Sequence, residues 1–310
     1  MSGQSVTIYE VGPRDGLQNE KRLIPAADKV RLIDLLAAAG FRKIEATSFV
    51  SPKWVPQLAD AAEVMAAITR RPGVTYAALT PNMKGYEAAK TAKVDEVAVF
   101  AAASEAFSQK NINCSIEESL DRFRPLTEAA RADGTPVRGY VSCVTDCPSS
   151  GAVAPEAAAR VTEALFALGC YEVSLGDSIG KAAPEAVAAM LDAVLNVADA
   201  AALAGHFHDT GGRALDNIAV SLDKGLRTFD SSVGGLGGCP YAPGAKGNVA
   251  TGRVVDFLDR AGFFSGIDRA ALAAAEAFVA GLAVGETNRG GISPPRGYAG
   301  PRPHPGMCGV

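Results

Sequence analysis

Eight short runs rich in β-branched and aromatic residues punctuate this chain, separated by longer Ala/Leu-rich amphipathic stretches. The runs are VTIYEVG from Val6, KIEATSF from Lys43, VTYAALT from Val74, DEVAVFA from Asp95, VRGYVSCV from Val137, YEVSLGD from Tyr171, LAGHFHD from Leu203 and RTFDSSVGG from Arg227. Between them lie segments such as AADKVRLIDLLAAAG, SIEESLDRFRPLTEAARADG, PEAAARVTEALFALG and PEAVAAMLDAVLNVADA. These begin near Pro, Ser or Asn, and several stop at Gly, as helix caps favour. Strand and helix patterns in strict alternation predict a parallel sheet built from βα units. Eight such units within about 250 residues predict an α/β fold of the (β/α)8 TIM-barrel type. A doubly wound open sheet is the alternative, because the pattern does not itself prove closure. After Asn248 a last barrel helix and a further Ala-rich helix, IDRAALAAAEAFVAGLAVG, precede a Pro/Gly-rich end. One catalytic domain is therefore expected over residues 1–286 and a loop-like or disordered tail over 287–310.

Composition narrows the function. The 310 residues are 48% hydrophobic and 21% charged, which is an ordinary globular balance. The net charge of −4 comes from 34 acidic and 30 basic residues, without a basic run, so nucleic acid is not an expected partner. No stretch approaches the roughly 18 uninterrupted apolar residues of a membrane span. The start, MSGQSVTIYEVGPRDG, has neither signal-peptide nor transit-peptide character, and a cytoplasmic location is expected. Cys114, Cys143, Cys147, Cys170, Cys239 and Cys308 form no CxxC pair, which suits reduced thiols better than disulfides or a zinc ribbon.

Two of the chain's three histidines stand one residue apart in GHFHDT. On a strand, residues two apart share a face, so His206 and His208 project together while Phe207 turns away. They sit at the C-terminal end of their strand, where barrels build active sites, and adjacent imidazoles there suit one metal ion. Other strand ends supply further polar groups: Arg14, Asp15 and Gln18 after the first, Glu45 at the second, Tyr140 and Ser142 on the fifth, Asp177 at the sixth. The eighth strand opens into GGLGGCPYAPGAKGN, which carries Cys239 and Asn248. Taken alone, each has a plain structural reading; Asp177, for instance, reads equally as a helix cap. Their convergence on one barrel face is what points to a site.

Such a cluster defines a chemistry. A carboxylate, two imidazoles and an amide oxygen make a mixed N/O site suited to Mg²⁺ or Mn²⁺, with positions open to a chelating substrate. The metal would acidify a substrate hydroxyl and polarise a neighbouring carbonyl. Arg14 would face a developing oxyanion, with Glu45 or Asp177 orienting it or relaying protons. Cys239 lies in a stretch with five Gly and two Pro between Gly234 and Gly244, better suited to a hinged lid than to core. The reaction class expected is metal-assisted cleavage or formation of a carbon–carbon bond beside a carbonyl.

The segments VGPRDGLQNEK, IEATSFVSPKWVPQLAD, LTPNMKGYEAA, KNINCSIEES, VRGYVSC, SLGDSIG, GHFHDTGGRALDN and DSSVGGLGGCPYAPGAKGN resemble, in order, the hydroxymethylglutaryl-CoA lyases. The RDG turn and the HxH pair are shared with a wider superfamily of metal-dependent lyases and synthases. The Cys-bearing loop is similar to the lyases in particular. The resemblance implies cleavage of 3-hydroxy-3-methylglutaryl-CoA to acetyl-CoA and acetoacetate, a step in leucine degradation, with Mg²⁺ or Mn²⁺ as cofactor. It implies Asp15, His206, His208 and Asn248 as metal ligands, and Arg14 as stabiliser of the enolate-like thioester oxygen. Cys239 is implied as the proton carrier, with Asp15, His206 or Glu45 as base. An acyl-CoA thioester is the implied partner, and a homodimer or higher homo-oligomer the implied assembly. A lyase for a longer-branched 3-hydroxyglutaryl-CoA and an acetyl-CoA-dependent condensing enzyme are the alternatives. The Pro/Gly-rich end from Gly290 onward departs from the resemblance.

Overall fold

A computed structural model describes residues 4–237 and 247–284 of the chain. Within them the strands are β1 (Thr7–Glu10), β2 (Lys43–Ser48), β3 (Thr75–Leu79), β4 (Glu96–Ala102), β5 (Val137–Ser142), β6 (Asp146–Cys147), β7 (Gly151–Ala152), β8 (Glu172–Asp177), β9 (Leu203–Phe207) and β10 (Thr228–Ser231). All but β6 and β7 form a closed parallel barrel, in the order β1-β10-β9-β8-β5-β4-β3-β2. Because β1 is in register with both β10 and β2, the sheet has no edge, and the open-sheet alternative is excluded. Each of the eight predicted runs holds one barrel strand. The β6–β7 hairpin was not anticipated: its two-residue strands are too short for a period of two to show.

The helices are α1 (Ala26–Ala38), α2 (Ala61–Ala67), α3 (Met83–Thr91), α4 (Glu105–Ile112), α5 (Ile116–Asp133), α6 (Pro155–Leu168), α7 (Pro184–Val194), α8 (Ala214–Asp223), α9 (Thr251–Arg260) and α10 (Arg269–Val284). Local chemistry sets their ends. The Ser115 hydroxyl accepts from the Glu118 N–H at 3.0 Å while the Glu118 carboxylate accepts from the Ser115 N–H at 2.8 Å, a reciprocal capping box that starts α5. Gly134, at φ 70°, ends it, and Pro125 lies inside the helix without breaking it. The Ala-rich α10 is the predicted extra helix and packs on α1. Among the described residues no helix is long and apolar enough to cross a membrane. The predicted tail, 287–310, lies outside the described residues, as do Cys239 and Cys308.

Alternation along the strands divides the buried residues into two sets. One set, including Ile8, Ile44, Val97, Val141, Val173, Leu175 and Phe229, meets the helices in one continuous apolar core. The other lines the barrel interior and is largely polar. At its N-terminal end the Tyr9 hydroxyl donates to Glu96 at 2.8 Å, and Lys43 and Tyr171 hold the other Glu96 oxygen. Most barrels fill this space with branched aliphatic side chains.

Candidate metal centre and active site

β9 places His206 on the barrel interior, and His208 follows on the same side just past the strand's C-terminal end. Their ring centroids are 5.3 Å apart. Asp15 arrives from the opposite end of the sequence, and one ligand atom from each of Asp15, His206 and His208 lies within 4.8 Å of the others. All three are buried, and Nε2 of each histidine has no hydrogen-bond partner among the described residues. A buried, orphaned ring nitrogen is costly unless something occupies it. Burial, with His206 beside it, pushes His208 down to about 4, so at neutral pH it is the uncharged imidazole, with a lone pair on one ring nitrogen. Two neutral-capable imidazoles and a carboxylate fit one divalent cation.

The lowered His208 value carries a stability consequence. In the metal-free protein the unfolded chain binds the His208 proton below its ordinary value near 6.5, whereas the folded chain binds it only below about 4. Stability therefore rises with pH through that window. In urea unfolding, the wild type should gain about 3 kcal/mol relative to His208→Gln between pH 4 and 6.5, at about 1.4 kcal/mol per pH unit.

Arg14 and Asp15 sit on a π-helical turn, Gly12–Gly16, that leaves β1 directly. Widened turns of this kind recur at functional sites. Glu10 fixes this one: its carboxylate accepts from the Gly12 N–H at 2.8 Å, the Val233 N–H at 2.8 Å and the Thr251 hydroxyl at 2.7 Å, tying the turn to the segment after β10 and to α9. Burial pushes the Glu10 carboxyl up to about 7 against those three donors. Arg14 is fully buried. Its Nε donates to Glu45 at 2.7 Å and its Nη1 to Asp15 at 2.9 Å, while Nη2 has no partner among the described residues. Glu45 mirrors this, with Oε2 on Arg14 and Oε1 buried and unpartnered. Burial raises the Glu45 carboxyl and outweighs the pull of Arg14. Among the described residues, one unpaired guanidinium NH2 group and one unpaired carboxylate oxygen thus stand beside the ligand triad.

The remaining predicted residues divide. Asn248 pairs as an antiparallel bridge with His208, and its Nδ2 donates to Asp15 at 2.6 Å, so it belongs to the cluster. The Tyr140 ring lies edge-on to His206, with centroids 6.3 Å apart, and 5.8 Å from the Arg14 guanidinium; its buried hydroxyl is unpartnered. Ser142 is buried on the same face of β5, one alternation nearer the barrel mouth. Gln18, half-buried, stands two residues beyond the π-helical turn. Asp177 goes elsewhere. It follows Gly176 by one residue and so faces the helices, where its two oxygens accept from the Gly180 and Ala182 N–H groups, each at 3.0 Å. No hydrogen bond joins it to Arg14; it holds the loop before α7, whose N-cap is Ala183, so it is not the helix cap that the sequence also allowed. That loop supports His208, since a Cβ on Gly180, at φ 64°, would sit 2.8 Å from His208 backbone and side-chain atoms. Gly180→Ala should cost about 1–3 kcal/mol in denaturant unfolding. It should also weaken Mn²⁺ binding by moving His208.

Sequence reasoning missed the groups beneath the site. Asp230 stands level with His206 in the β10–β9 register, and its Oδ2 lies 3.1 Å from His206 Nδ1. Arg138 grips both Asp230 oxygens, at 3.1 and 2.7 Å, and also bonds Glu172 at 2.7 Å. The Ser174 hydroxyl donates to the same Oδ2 at 2.7 Å. Burial alone would raise the Asp230 carboxyl; Arg138 and His206 overcome it and hold it well below the usual range. The available clue was a charged residue within a strand: Arg138 in VRGYVS, Glu172 in EVSLGD and Asp230 in TFDS.

Above these groups, at the C-terminal mouth, a cavity of about 440 Å³ opens between the ends of β2, β3 and β4 and helices α4 and α5. Val50, Trp54 and Phe100 give it apolar walls, and Lys110 and Arg122 give it charge. Val50 and Phe100 also pack in the cluster that contains Tyr140, so this cavity and the polar centre adjoin.

Known proteins resemble this chain in sequence and in fold. The sequence profile of the HMGL-like family matches residues 5–279. The 3-hydroxy-3-isohexenylglutaryl-CoA/hydroxymethylglutaryl-CoA lyase of Pseudomonas aeruginosa is 59% identical over 269 residues, covering 87% of this chain and 90% of that protein. The HMG-CoA lyase structure from Brucella melitensis superposes with a TM-score of 0.89 at 63% identity, covering 90% of this chain and 99% of that one. An HMG-CoA lyase from Acinetobacter baumannii, solved in complex with coenzyme A and 3-methylmalate, superposes with a TM-score of 0.85 at 34% identity, covering 94% and 97%. By sequence along nearly all of the barrel and by fold, the chain belongs to the HMGL-like family.

Proposed function

We propose that this chain cleaves 3-hydroxy-3-methylglutaryl-CoA to acetyl-CoA and acetoacetate in a metal-dependent retro-Claisen reaction. The observation that carries the reading is the meeting of Asp15, His206 and His208 with a buried Arg14 whose Nη2 has no partner among the described residues. A bound Mg²⁺ or Mn²⁺, held by these three and by Asn248, would supply Lewis-acid polarisation of the substrate's hydroxyl and carboxylate oxygens. The protein's own groups do the rest. Arg14 Nη2 donates to the thioester oxygen as negative charge gathers there. The C3 hydroxyl proton passes to a carboxylate of the pair flanking Arg14, Asp15 or Glu45; His206 is committed through Nδ1 to Asp230. The bond between C2 and C3 breaks, C3 becomes the ketone of acetoacetate, and C2 leaves as the acetyl-CoA enolate, to be protonated. Cys239 is the proposed source of that proton.

Tyr140 and Ser142 line the interior beside the reacting centre, and the adjoining cavity suits the thioester's CoA arm, with Lys110 and Arg122 for its phosphates. Cys114, Cys143, Cys147 and Cys170 are all free thiols, which supports a reducing, cytoplasmic setting. The test is acetoacetate formation by chelator-stripped protein with and without Mg²⁺ or Mn²⁺. The longer-branched 3-hydroxy-3-isohexenylglutaryl-CoA serves as comparator. Cys239→Ala should lower turnover about 10²–10⁴-fold, as loss of a general acid does, with little change in KM. Absence of product with either metal would overturn the proposal.

A further inference from the structure

Asp230 has a position that neither the reaction nor the ligand set explains. It is wholly buried in the barrel interior, yet it accepts four hydrogen bonds: two from Arg138, one from Ser174 and one from the His206 ring. Three of these converge on Oδ2 and one on Oδ1, so both oxygens are held. Its donors are themselves immobilised. Arg138 is held by Glu172 at 2.7 Å and lies against the Tyr9 and Tyr140 rings, 4.0 and 4.9 Å from their centroids. An ionised carboxylate can only accept, so His206 Nδ1 must carry the hydrogen, and the lone pair falls on Nε2. Nε2 has no partner among the described residues and lies buried among the candidate metal ligands.

We propose that Asp230, clamped by Arg138 and Ser174, is a positioning residue that fixes His206 as the Nδ1–H tautomer and so prepares its Nε2 to bind the metal before the metal arrives. This rests on the proposed metal site, but its tests separate from it. A free imidazole exchanges between tautomers and ring orientations; here both are set by a lattice of hydrogen bonds anchored in four strands, β5, β8, β9 and β10. A partner of this kind on a metal-bound histidine is typically worth 10–100-fold in metal affinity. Asp230→Asn would put an amide where three donors already point. With its oxygen in the Oδ2 position it would still accept from the ring and from Arg138 Nη1 but would turn its NH2 onto Arg138 Nη2; turned over to relieve that clash, it would face His206 with its NH2 and favour the opposite tautomer.

The first measurement uses the unmodified metal-free protein. With three histidines in the chain, ¹⁵N-labelled imidazole spectra are readily assigned using His208→Gln and His304→Gln. The expected result is a single His206 tautomer, protonated at Nδ1; an exchanging mixture or an Nε2–H form overturns the proposal. The second is Mn²⁺ binding by electron paramagnetic resonance, with Asp230→Asn and the milder Ser174→Ala. The expected loss in affinity is about 10–100-fold for the first and a smaller loss in the same direction for the second. A folded Asp230→Asn that melts earlier but binds Mn²⁺ like the wild type makes Asp230 structural only and overturns the proposal. Failure of Asp230→Asn to fold leaves the tautomer measurement to decide. Wild-type protein that binds no Mn²⁺ at all would instead defeat the metal reading, whatever His206 does.

Discussion

Arg14→Gln should reduce kcat for 3-hydroxy-3-methylglutaryl-CoA cleavage by about 10²–10³-fold at saturating metal, the range seen when one oxyanion-stabilising donor is removed. The expectation follows from how the guanidinium is spent. Two of its nitrogens are tied to Glu45 and Asp15, and only Nη2 is left to follow charge onto the thioester oxygen. A group that acts on charge present only in the transition state lowers kcat and kcat/KM together when lost. The same change leaves two buried carboxylates without their shared cation, and breaking a buried ion pair typically costs about 3–5 kcal/mol. Urea unfolding should show that loss. Arg14→Lys keeps the charge but cannot hold both carboxylates and still present a spare donor, so it should fold better than Arg14→Gln and still turn over slowly. A normal kcat with a raised KM in either variant would place Arg14 in ground-state binding and remove it from the chemistry.

Asp15→Asn should weaken Mn²⁺ binding by more than about 100-fold, beyond the loss expected for any residue behind the ligands. Asp15 is the only carboxylate in the triad, so its loss removes the negative charge that favours a dication over water. It is also a crossing point: one oxygen takes the Arg14 Nη1 hydrogen bond and the other takes Asn248 Nδ2 at 2.6 Å. An amide has one acceptor atom where the carboxylate has two, so either Arg14 or Asn248 must turn away. Titration of the metal-free variant with Mn²⁺ reads the effect directly. Wild-type affinity would take Asp15 out of the ligand set, even if turnover were lost.

The order of strands and the histidine pair were legible because each depends on spacing along one segment. His206 and His208 share a face whichever way that face points, so spacing alone places them together. Asp177 shows the limit of that logic. In YEVSLGD, Glu172 and Ser174 alternate with Val173 and Leu175, and that period puts Asp177 on the helix side; nearness to the strand's end, on which its candidacy rested, carries no such parity. Gly176 faces inward with Ser174, and Asp177, one residue on, caps a loop on the helix side. Asp230 failed for a related reason: DSS sets three polar residues in a row, covering both parities, and only its register opposite His206 selects the one that matters. Asn248 was legible from its place on the loop after the eighth strand and from the resemblance, but not the bridge that lays it beside His208, which joins segments 40 residues apart.

The barrel's polar interior also bears on how the protein can be stabilised. Buried ion pairs such as Arg138 with Asp230 and Glu172 often stabilise less than well-packed apolar groups of equal volume. A redesign that filled these positions with aliphatic side chains would therefore raise thermal tolerance by the ordinary criterion of packing. It would do so by cutting the last fixed support beneath His206. Selection for heat resistance and selection for turnover would pull the same three codons in opposite directions, and a thermostable but slow variant is the expected product of the first acting alone.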